Sequence, residues 1–229
     1  MKLKILSWNI WINGYFDQVA NFLGQSGAEI IGLQEVTNDN PKRDVIGYLA
    51  NLGYESAFAP VKHSWGSKTY HDGPAIFSKY KIAASQTYVL SEIDPRAAIR
   101  ADIEVGDIML HVFSTHLLHS HQQPSDTQNL QVDALLKVLP GTKTVVLGDF
   151  NATPDSMPIR TISTTLRDTD PVSTPTWSIY PAGCSICNPQ SLDTRLDYIF
   201  VTKDLQTNSF KVERADGSDH LPISVMIEI

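Results

Sequence analysis

The segment VVLGDFNATPDS, residues 145–156, places a carboxylate and a carboxamide two positions apart at the end of an apolar run. Residues 145–147 predict a buried strand, and the proline-containing stretch after Asn151 predicts a turn. Side chains two residues apart on an extended backbone point to the same side, so Asp149 and Asn151 would face one space. A carboxylate there can orient or deprotonate water, and a carboxamide can bind a phosphate oxygen.

Further polar residues stand where other predicted strands begin or end. Three close the segments ILSWN, IIGLQE and VFSTH, and three more open or precede DYIFV and LPISVMIEI: Asn9, Glu35, His116, Asp197, Asp219 and His220. Because the start of one antiparallel strand lies beside the end of its neighbour, all these segments can point at one rim of a sheet. With Asp149 and Asn151, that rim would collect four carboxylates, two carboxamides and two imidazoles.

The chemistry of this set points to a hard divalent cation and a phosphate ester. Several carboxylates in one pocket repel one another unless a cation neutralises them. Oxygen donors without cysteine favour Mg²⁺ or Mn²⁺. Imidazoles can donate protons to a phosphoryl group, so the set predicts metal-assisted phosphoryl transfer to water.

Seven short motifs follow one another along the chain: LSWNI, AEIIGLQEV, GPAIFSKYKI, FSTHL, LGDFNATPDS, TRLDYIFV and SDHLPI. In this order they resemble the endonuclease/exonuclease/phosphatase superfamily, which includes DNase-like and sphingomyelinase-like metal-dependent phosphohydrolases. The resemblance covers residues 8–222. It implies an α/β fold, a four-layer α/β sandwich of two packed mixed β-sheets flanked by helices, with a divalent cation at one end.

The resemblance also implies roles for individual residues. Glu35 matches the principal metal ligand, with Asn9 and Asp219 close to it. Asp149 matches the residue that positions or activates the attacking water. Asn151 matches the residue that works together with that aspartate by contacting the phosphate.

Two histidines receive different roles from the same resemblance. His116 matches a phosphate-contacting histidine of the DNase-like and sphingomyelinase-like branches. Asp197 matches the acid that orients His220. Chemistry alone supports this pair, because a carboxylate fixes the tautomer of an imidazole and stabilises its protonated form. The structural alternative for Asp197 is an ion pair with Arg195.

Apolar patterns predict the elements that would hold these residues. Strands are expected over residues 2–8, 29–35, 75–77, 88–90 and 144–147, in a hairpin turning at Gly106-Asp107, and in the segments LDYIFV and PISVMIEI. Helices are expected over residues 16–25 and 43–52, and a third begins at a capping box, residues 125–128. No repeat or linker interrupts the sequence, so residues 1–229 are predicted to form a single domain of two hairpin-rich sheets packed face to face.

Charge and composition limit the partners that the chain is expected to have. The formal net charge is −7, whereas proteins that bind nucleic-acid phosphates without specificity usually carry a basic surface. The sequence has neither a run of apolar residues long enough to span a membrane nor a secretory signal, so we predict a cytoplasmic protein without stable membrane insertion. The expected partner is a phosphate-ester substrate, nucleic acid included, and no obligate protein partner is evident.

Some residues leave alternatives open. Interleaved aromatic and basic residues in PVKHSWGSKTYHDGP, residues 60–74, predict a substrate-selecting loop. Trp65 could bind substrate there by stacking on a base, could contact a lipid headgroup, or could pack against its own loop. Arg96 and Arg100 are interpreted as solvated strand residues.

A pair of histidines and, separately, a pair of cysteines have no assigned role. His119 and His121, in HLLHSH, suggest a second metal site but are interpreted as solvated loop residues near the rim. Cys184 and Cys187 form a lone CxxC pair without the further ligands that a zinc site needs. We therefore expect a loop with two free or oxidisable thiols.

The sequence as a whole predicts a phosphohydrolase that depends on Mg²⁺ or Mn²⁺. The preferred reaction is cleavage of a nucleic-acid or nucleotide phosphodiester by in-line attack of water. One alternative is a phosphate esterase acting on a lipid headgroup or small molecule. A catalytically inactive binding module is a further alternative, which the complete set of site residues disfavours.

Overall fold

The computed structural model describes residues 1–65, 68–180, 184 and 186–229, without the side chains of residues 63, 65, 68 and 70. Within these residues the strands form two mixed sheets. The first sheet has the order β12-β13-β1-β2-β5-β3, with β4 paired to β5; its strands are β1 (Lys2–Asn9), β2 (Ile30–Thr37), β3 (Glu55–Phe58), β4 (Val61–Trp65), β5 (Lys68–Ser78), β12 (Gln206–Val212) and β13 (Ile223–Glu228). The second sheet has the order β10-β11-β9-β8-β7-β6; its strands are β6 (Ile82–Ser91), β7 (Arg96–Val105), β8 (Ile108–His116), β9 (Thr144–Asp149), β10 (Arg167–Asp168) and β11 (Asp197–Val201).

Helices cover the outer face of each sheet. Two pack outside the first sheet and two outside the second: α1 (Phe16–Gln25), α2 (Val45–Asn51), α3 (Asp126–Leu136) and α4 (Met157–Ser163). The predicted four-layer α/β sandwich is therefore confirmed. None of the helices in the described part of the chain has the length and apolar character needed to cross a bilayer.

The alternation of side chains along the strands explains the layers. In β9, Val145 and Leu147 belong to the apolar cluster between the two sheets, whereas Val146 belongs to the cluster beneath α3 and α4. Ile5 and Leu6 of β1 divide in the same way between the central cluster and the cluster beneath α1 and α2. Successive residues of these strands therefore enter different cores. Each large apolar side chain that is fully buried stabilises the folded state by about 1.5–3 kcal/mol relative to an exposed one.

Strand directions bring the predicted site residues to one rim. β1 runs parallel to β2, and β8 runs parallel to β9, so Asn9, His116 and Asp149 all lie at carboxyl ends of strands. β11 runs antiparallel to β9, and Asp197 pairs directly with Asp149. β13 runs antiparallel to β1, which places the residues before Ile223 at the same end.

The region predicted as a loop, residues 60–74, contains a β-hairpin instead. β4 and β5 pair from Val61 with Asp72 to Trp65 with Lys68. The prediction was wrong because strand pairing uses backbone groups, and the polar and basic residues of this stretch interrupt the apolar alternation by which a strand is recognised in a sequence. The side chain of Trp65 lies outside the described part of the structure, so its role in substrate binding stays a prediction.

The second helix starts later than the sequence predicts, whereas the third starts at the predicted cap. The second predicted helix, residues 43–52, begins later because Asp44 caps α2 by accepting the Gly47 N–H at 2.8 Å. Ser125 caps α3 by accepting the Gln128 N–H at 3.3 Å. The Gln128 side chain does not complete the capping box, since its amide donates to the Leu118 and Asn151 carbonyls.

Gly148 provides a direct test of the close packing behind the rim. Its φ is +149°, and a Cβ added there would lie 2.0 Å from the Thr115 carbonyl oxygen on the adjacent strand. We expect Gly148→Ala to lower the free energy of unfolding, measured by urea denaturation, by about 2 kcal/mol or more, because overpacking forces a backbone shift.

Gly141→Ala is the matched control, because an added Cβ there meets nothing within 4 Å. It should change the free energy of unfolding by less than about 0.5 kcal/mol. Equal effects of the two substitutions would contradict the steric argument.

Candidate active site

A cleft of about 380 Å³ opens at the rim where the predicted site residues meet. Seven of these residues line it: Asn9, Glu35, His116, Asp149, Asn151, Asp219 and His220. Asp197 lies behind His220 and is completely buried. The structure therefore brings together all eight of the predicted strand-end residues, with Asp197 as support for a lining residue.

Asp149 is the centre of the cleft and is only 1% exposed. Its Oδ1 accepts the Asn151 N–H at 2.8 Å, and its Oδ2 accepts an amide hydrogen of Asn9 at 3.0 Å. The Nε2 atoms of His116 and His220 face the same Oδ2 at 3.4 and 3.6 Å. Burial raises the pKa of Asp149 to about 7, although the nearby His220 charge opposes that shift. One carboxylate thus organises two imidazoles and a carboxamide.

Asp197 and His220 form the second buried pair. His220 Nδ1 lies 2.8 Å from Asp197 Oδ2, which also accepts the Thr176 hydroxyl at 2.6 Å. Burial opposes protonation of His220, but the charges of Asp197, Asp149 and Asp219 outweigh it and raise the pKa of His220 well above its ordinary value. With Nδ1 held in this way, His220 presents Nε2 to the cleft.

Arg195 does not form the side-chain ion pair that was the structural alternative for Asp197. Its two terminal nitrogens contact Asp168 at 2.8 Å each, and its Nε lies 3.8 Å from Asp170. It reaches Asp197 only through the backbone carbonyl. The Asp197 carboxylate is therefore available for His220.

Glu35 and Asp219 offer oxygens that suit a divalent cation. Burial and the charge of Asp219 raise the pKa of Glu35. Asp219 Oδ2 accepts the indole N–H of Trp177 at 3.1 Å, whereas its buried Oδ1 has no hydrogen-bond partner among the described residues and lies 4.0 Å from His220. A cation at these oxygens would relieve the repulsion and satisfy Oδ1, so the donor set fits Mg²⁺ or Mn²⁺.

Asn9 connects the two acidic parts of the cleft. Its amide nitrogen lies 3.0 Å from both Glu35 Oε1 and Asp149 Oδ2, and its Oδ1 accepts the Trp11 N–H at 3.0 Å. The amide hydrogens thus bridge two carboxylates. Direct ligation of a cation through the remaining lone pair of Oδ1 stays a prediction.

Asn151 is held at every polar atom of its side chain. Its Oδ1 lies 2.8 Å from His119 Nδ1, and its Nδ2 donates to the Leu117 carbonyl at 3.1 Å. Its φ is +49°, and its own carbonyl accepts the Gln128 amide at 2.9 Å. A turn rather than a continued strand therefore sets the direction of Asn151, and its predicted contact with phosphate stays a prediction.

Arg96 and Asp72 line the cleft but were not predicted as site residues. The interpretation of Arg96 as solvated was wrong: its side chain is partly buried among carboxylates, and burial lowers its pKa while Asp72 and Glu35 oppose that shift. Burial, together with the charge of Glu35, raises the pKa of Asp72 to about 7. Arg100 is different, because it lies outside the cleft and bonds Asp102 at 2.7 Å.

The sequence contained a usable signal for Arg96 but not for Asp72. The hairpin turning at Gly106-Asp107 pairs Ala98 with Thr115, and continuing that register places Arg96 beside the end of β8. Asp72 reaches the rim through its pairing with Thr37 in the unpredicted part of β5.

His119 and His121 also line the cleft, together with Cys184. The two histidines lie in a partly exposed loop at the rim, as expected, but they are more than solvated loop residues, since their rings contact each other and both cysteine thiols. The CxxC pair therefore has histidine neighbours that lie more than sixty positions away in the chain.

Comparison with solved structures identifies the same architecture in other proteins. An endonuclease/exonuclease/phosphatase from Beutenbergia cavernae DSM 12333 superposes with a TM-score of 0.81 at 19% identity, covering 100% of this chain and 72% of that chain. The corresponding protein from Bacteroides vulgatus gives 0.76 at 20% identity, covering 100% and 99%. ANGEL2, a 2',3'-cyclic phosphatase, gives 0.73 at 16% identity, covering 99% and 95%. At these identities the likeness establishes the fold.

Sequence comparison establishes the family. No curated protein sequence matches the chain significantly. The sequence model of the Endonuclease/Exonuclease/phosphatase family matches residues 6–220, which is nearly the whole chain. The chain therefore belongs to the endonuclease/exonuclease/phosphatase family, whose named activities all hydrolyse phosphate esters.

Proposed function

We propose that the protein is a phosphodiesterase that depends on Mg²⁺ or Mn²⁺ and cleaves a nucleic-acid or nucleotide phosphodiester by in-line attack of water. The observation that carries the proposal is the arrangement around Asp149, where a buried carboxylate faces two imidazoles beside oxygens that suit a cation. Family membership supports hydrolysis of a phosphate ester.

Asp149 is proposed to hold and deprotonate the attacking water. Its raised pKa makes it a stronger base than an exposed carboxylate. Asn9 and the Asn151 backbone N–H fix the two oxygens, so the carboxylate does not rotate away from the cleft.

His220 is proposed to donate a hydrogen bond, and then a proton, to the phosphate ester from Nε2. Asp197 supports this role by stabilising the protonated ring from the opposite nitrogen. His116 and Asn151 are proposed to bind the phosphoryl oxygens, since both line the cleft beside Asp149.

Glu35 and Asp219 are proposed to hold the cation, with Asn9 beside them. When bound, the cation would neutralise the negative charge that develops on the phosphoryl oxygens. Arg96 is proposed to bind the phosphate as well, because it lines the cleft and a guanidinium donates strong, charge-assisted hydrogen bonds to phosphate.

The choice of a diester rests on the donors and on one similar fold. The groups proposed to bind a substrate phosphate are the Arg96 guanidinium, the His116 imidazole and the Asn151 carboxamide, and they lie beside the His220 imidazolium that a leaving alkoxide needs. ANGEL2, whose fold is similar, is a phosphatase of 2',3'-cyclic phosphates, which are themselves diesters. A cytoplasmic location and the absence of an obligate protein partner also remain proposals.

The first test is metal-dependent cleavage of a mixed substrate panel by wild type and Asp149→Asn. The panel holds single- and double-stranded DNA, RNA, cyclic nucleotides, sphingomyelin, phosphatidylinositol phosphates and simple mono- and diesters. We expect cleavage of a nucleic-acid or nucleotide diester that requires Mg²⁺ or Mn²⁺, and a loss of turnover of at least ~100-fold in Asp149→Asn.

Asp107→Asn, in an exposed hairpin turn, is the matched control and should retain wild-type turnover. If the protein cleaved only lipid headgroups or monoesters, the proposal of a nucleic-acid or nucleotide diester as the substrate would be wrong. Equal turnover in Asp149→Asn and wild type would overturn the role of Asp149.

The Asp197–His220 pair has an internal control on the paired strands β7 and β8, away from the cleft. Asp102 and His111 form a similar pair at 2.6 Å outside the cleft. We expect Asp197→Asn to reduce kcat by at least ~100-fold, because the imidazolium loses its stabilising charge. Asp102→Asn should leave kcat within about twofold of wild type, since neither Asp102 nor His111 lines the cleft. Similar losses in both variants would contradict the assignment.

Arg96 can be compared with Arg100 on the same strand. We expect Arg96→Gln to reduce kcat/KM by about 10-fold to 100-fold, the value of one charge-assisted hydrogen bond. Arg100→Gln should leave kcat/KM close to that of wild type. Steady-state kinetics on the best substrate of the panel would measure both, and an unaffected Arg96→Gln variant would exclude a phosphate contact.

A further inference from the structure

A second group of metal-binding side chains lies beside the proposed catalytic cleft. One ligand atom from each of four residues lies within 4.8 Å of all the others: His119, His121, Cys184 and Cys187. The histidines follow β8, and the cysteines belong to a segment that precedes β11. Neither pair is enough for a metal site alone, but the fold brings them together.

The distances between these atoms match a tetrahedral zinc centre. His119 Nε2 and His121 Nδ1 lie 3.0 Å apart. The two nitrogens lie 3.5 and 3.3 Å from Cys187 Sγ, and 4.0 and 3.8 Å from Cys184 Sγ. Zinc bonds of ordinary length at tetrahedral angles require separations of about 3.4 Å between nitrogens and about 3.6 Å between nitrogen and sulfur.

We propose that His119 Nε2, His121 Nδ1, Cys184 Sγ and Cys187 Sγ bind one structural Zn²⁺ ion. Two thiolates and two imidazoles form the soft donor set that selects zinc over Mg²⁺. Four protein ligands leave no position for water, so the site would be closed and its role structural. It differs in chemistry from the oxygen donors of Glu35 and Asp219 in the neighbouring cleft.

The surroundings of the four ligands support the proposal. A histidine that binds metal through one nitrogen normally donates the other N–H to a protein acceptor. His119 Nδ1 has such an acceptor, Asn151 Oδ1, at 2.8 Å. The Cys187 N–H points at Cys184 Sγ at 3.2 Å, a donor that stabilises a thiolate. The same contacts would connect the zinc centre to the position of Asn151.

A disulfide between the two cysteines is the competing explanation for a CxxC pair. Both cysteines are free in the structure, and each thiol contacts both imidazoles. A disulfide would consume the two sulfurs and leave the paired histidine nitrogens facing each other without a cation. The zinc proposal accounts for all four side chains at once.

The test measures bound metal rather than activity. Wild-type protein produced with added zinc is dialysed against excess Mg²⁺ under reducing conditions, and its metal content is determined by mass spectrometry. We expect about one zinc per chain in wild type and in His71→Asn, which removes an exposed histidine elsewhere. The double variant Cys184→Ser/Cys187→Ser should retain less than about a tenth of that amount.

Substitution of Co²⁺ for zinc in wild type gives an independent readout that needs no variant. We expect thiolate-to-cobalt charge-transfer absorption and the intense visible bands of a four-coordinate ion. Wild type without zinc, zinc retained in the double variant, a cobalt spectrum without thiolate absorption, or a disulfide detected by intact mass would each overturn the proposal. Because none of these measurements uses phosphate-ester cleavage, a failure here would be separate from a failure of the proposed phosphodiesterase function.

Discussion

The concentration of negative charge at one rim is the constraint on which the rest of the structure depends. Five carboxylates meet there: Glu35, Asp72, Asp149, Asp197 and Asp219. Removing a single charge from water costs several kcal/mol, so this group is compatible with a folded state only if positive charge and hydrogen-bond donors surround it. His220, Arg96 and the Asn9 amide supply part of that compensation, and a divalent cation would supply more. The chemistry proposed for the cleft and the stability of the rim therefore have the same electrostatic origin.

The two sheets provide the rigidity that keeps these charges in place. β9 contributes alternate side chains to the central and outer cores, so its position is fixed from both faces. Gly148 lies against the Thr115 carbonyl immediately before Asp149. A strand held in this way cannot slide or tilt to let the carboxylates separate. Close packing behind the rim thus opposes the repulsion within it.

Sequence reasoning located the residues at strand ends and missed those that arrive by other routes. Asp149 and His220 were found because apolar runs reveal where strands stop and start. Arg96 was missed because the exposure of its side chain depends on which elements pack against the β7–β8 hairpin. Asp72 was missed because β5 is too polar near its start to be recognised as a strand. The pairing of His119 with Cys187 could not be predicted, since no local pattern reports a contact between residues 68 positions apart.

The register of β5 has a consequence for how this fold can change its substrate. β5 continues past the end of β2, so residues 68–71 pair, among the described residues, with β4 alone, and the hairpin extends beyond Asp72, which lines the cleft. The described side chains of that extension belong to none of the apolar clusters: Lys62, Ser64, Thr69 and His71. The molecule therefore separates a fixed reaction centre from an attached surface that can vary. Related chains could acquire new specificities by altering the hairpin while β9 and its neighbours remain the same.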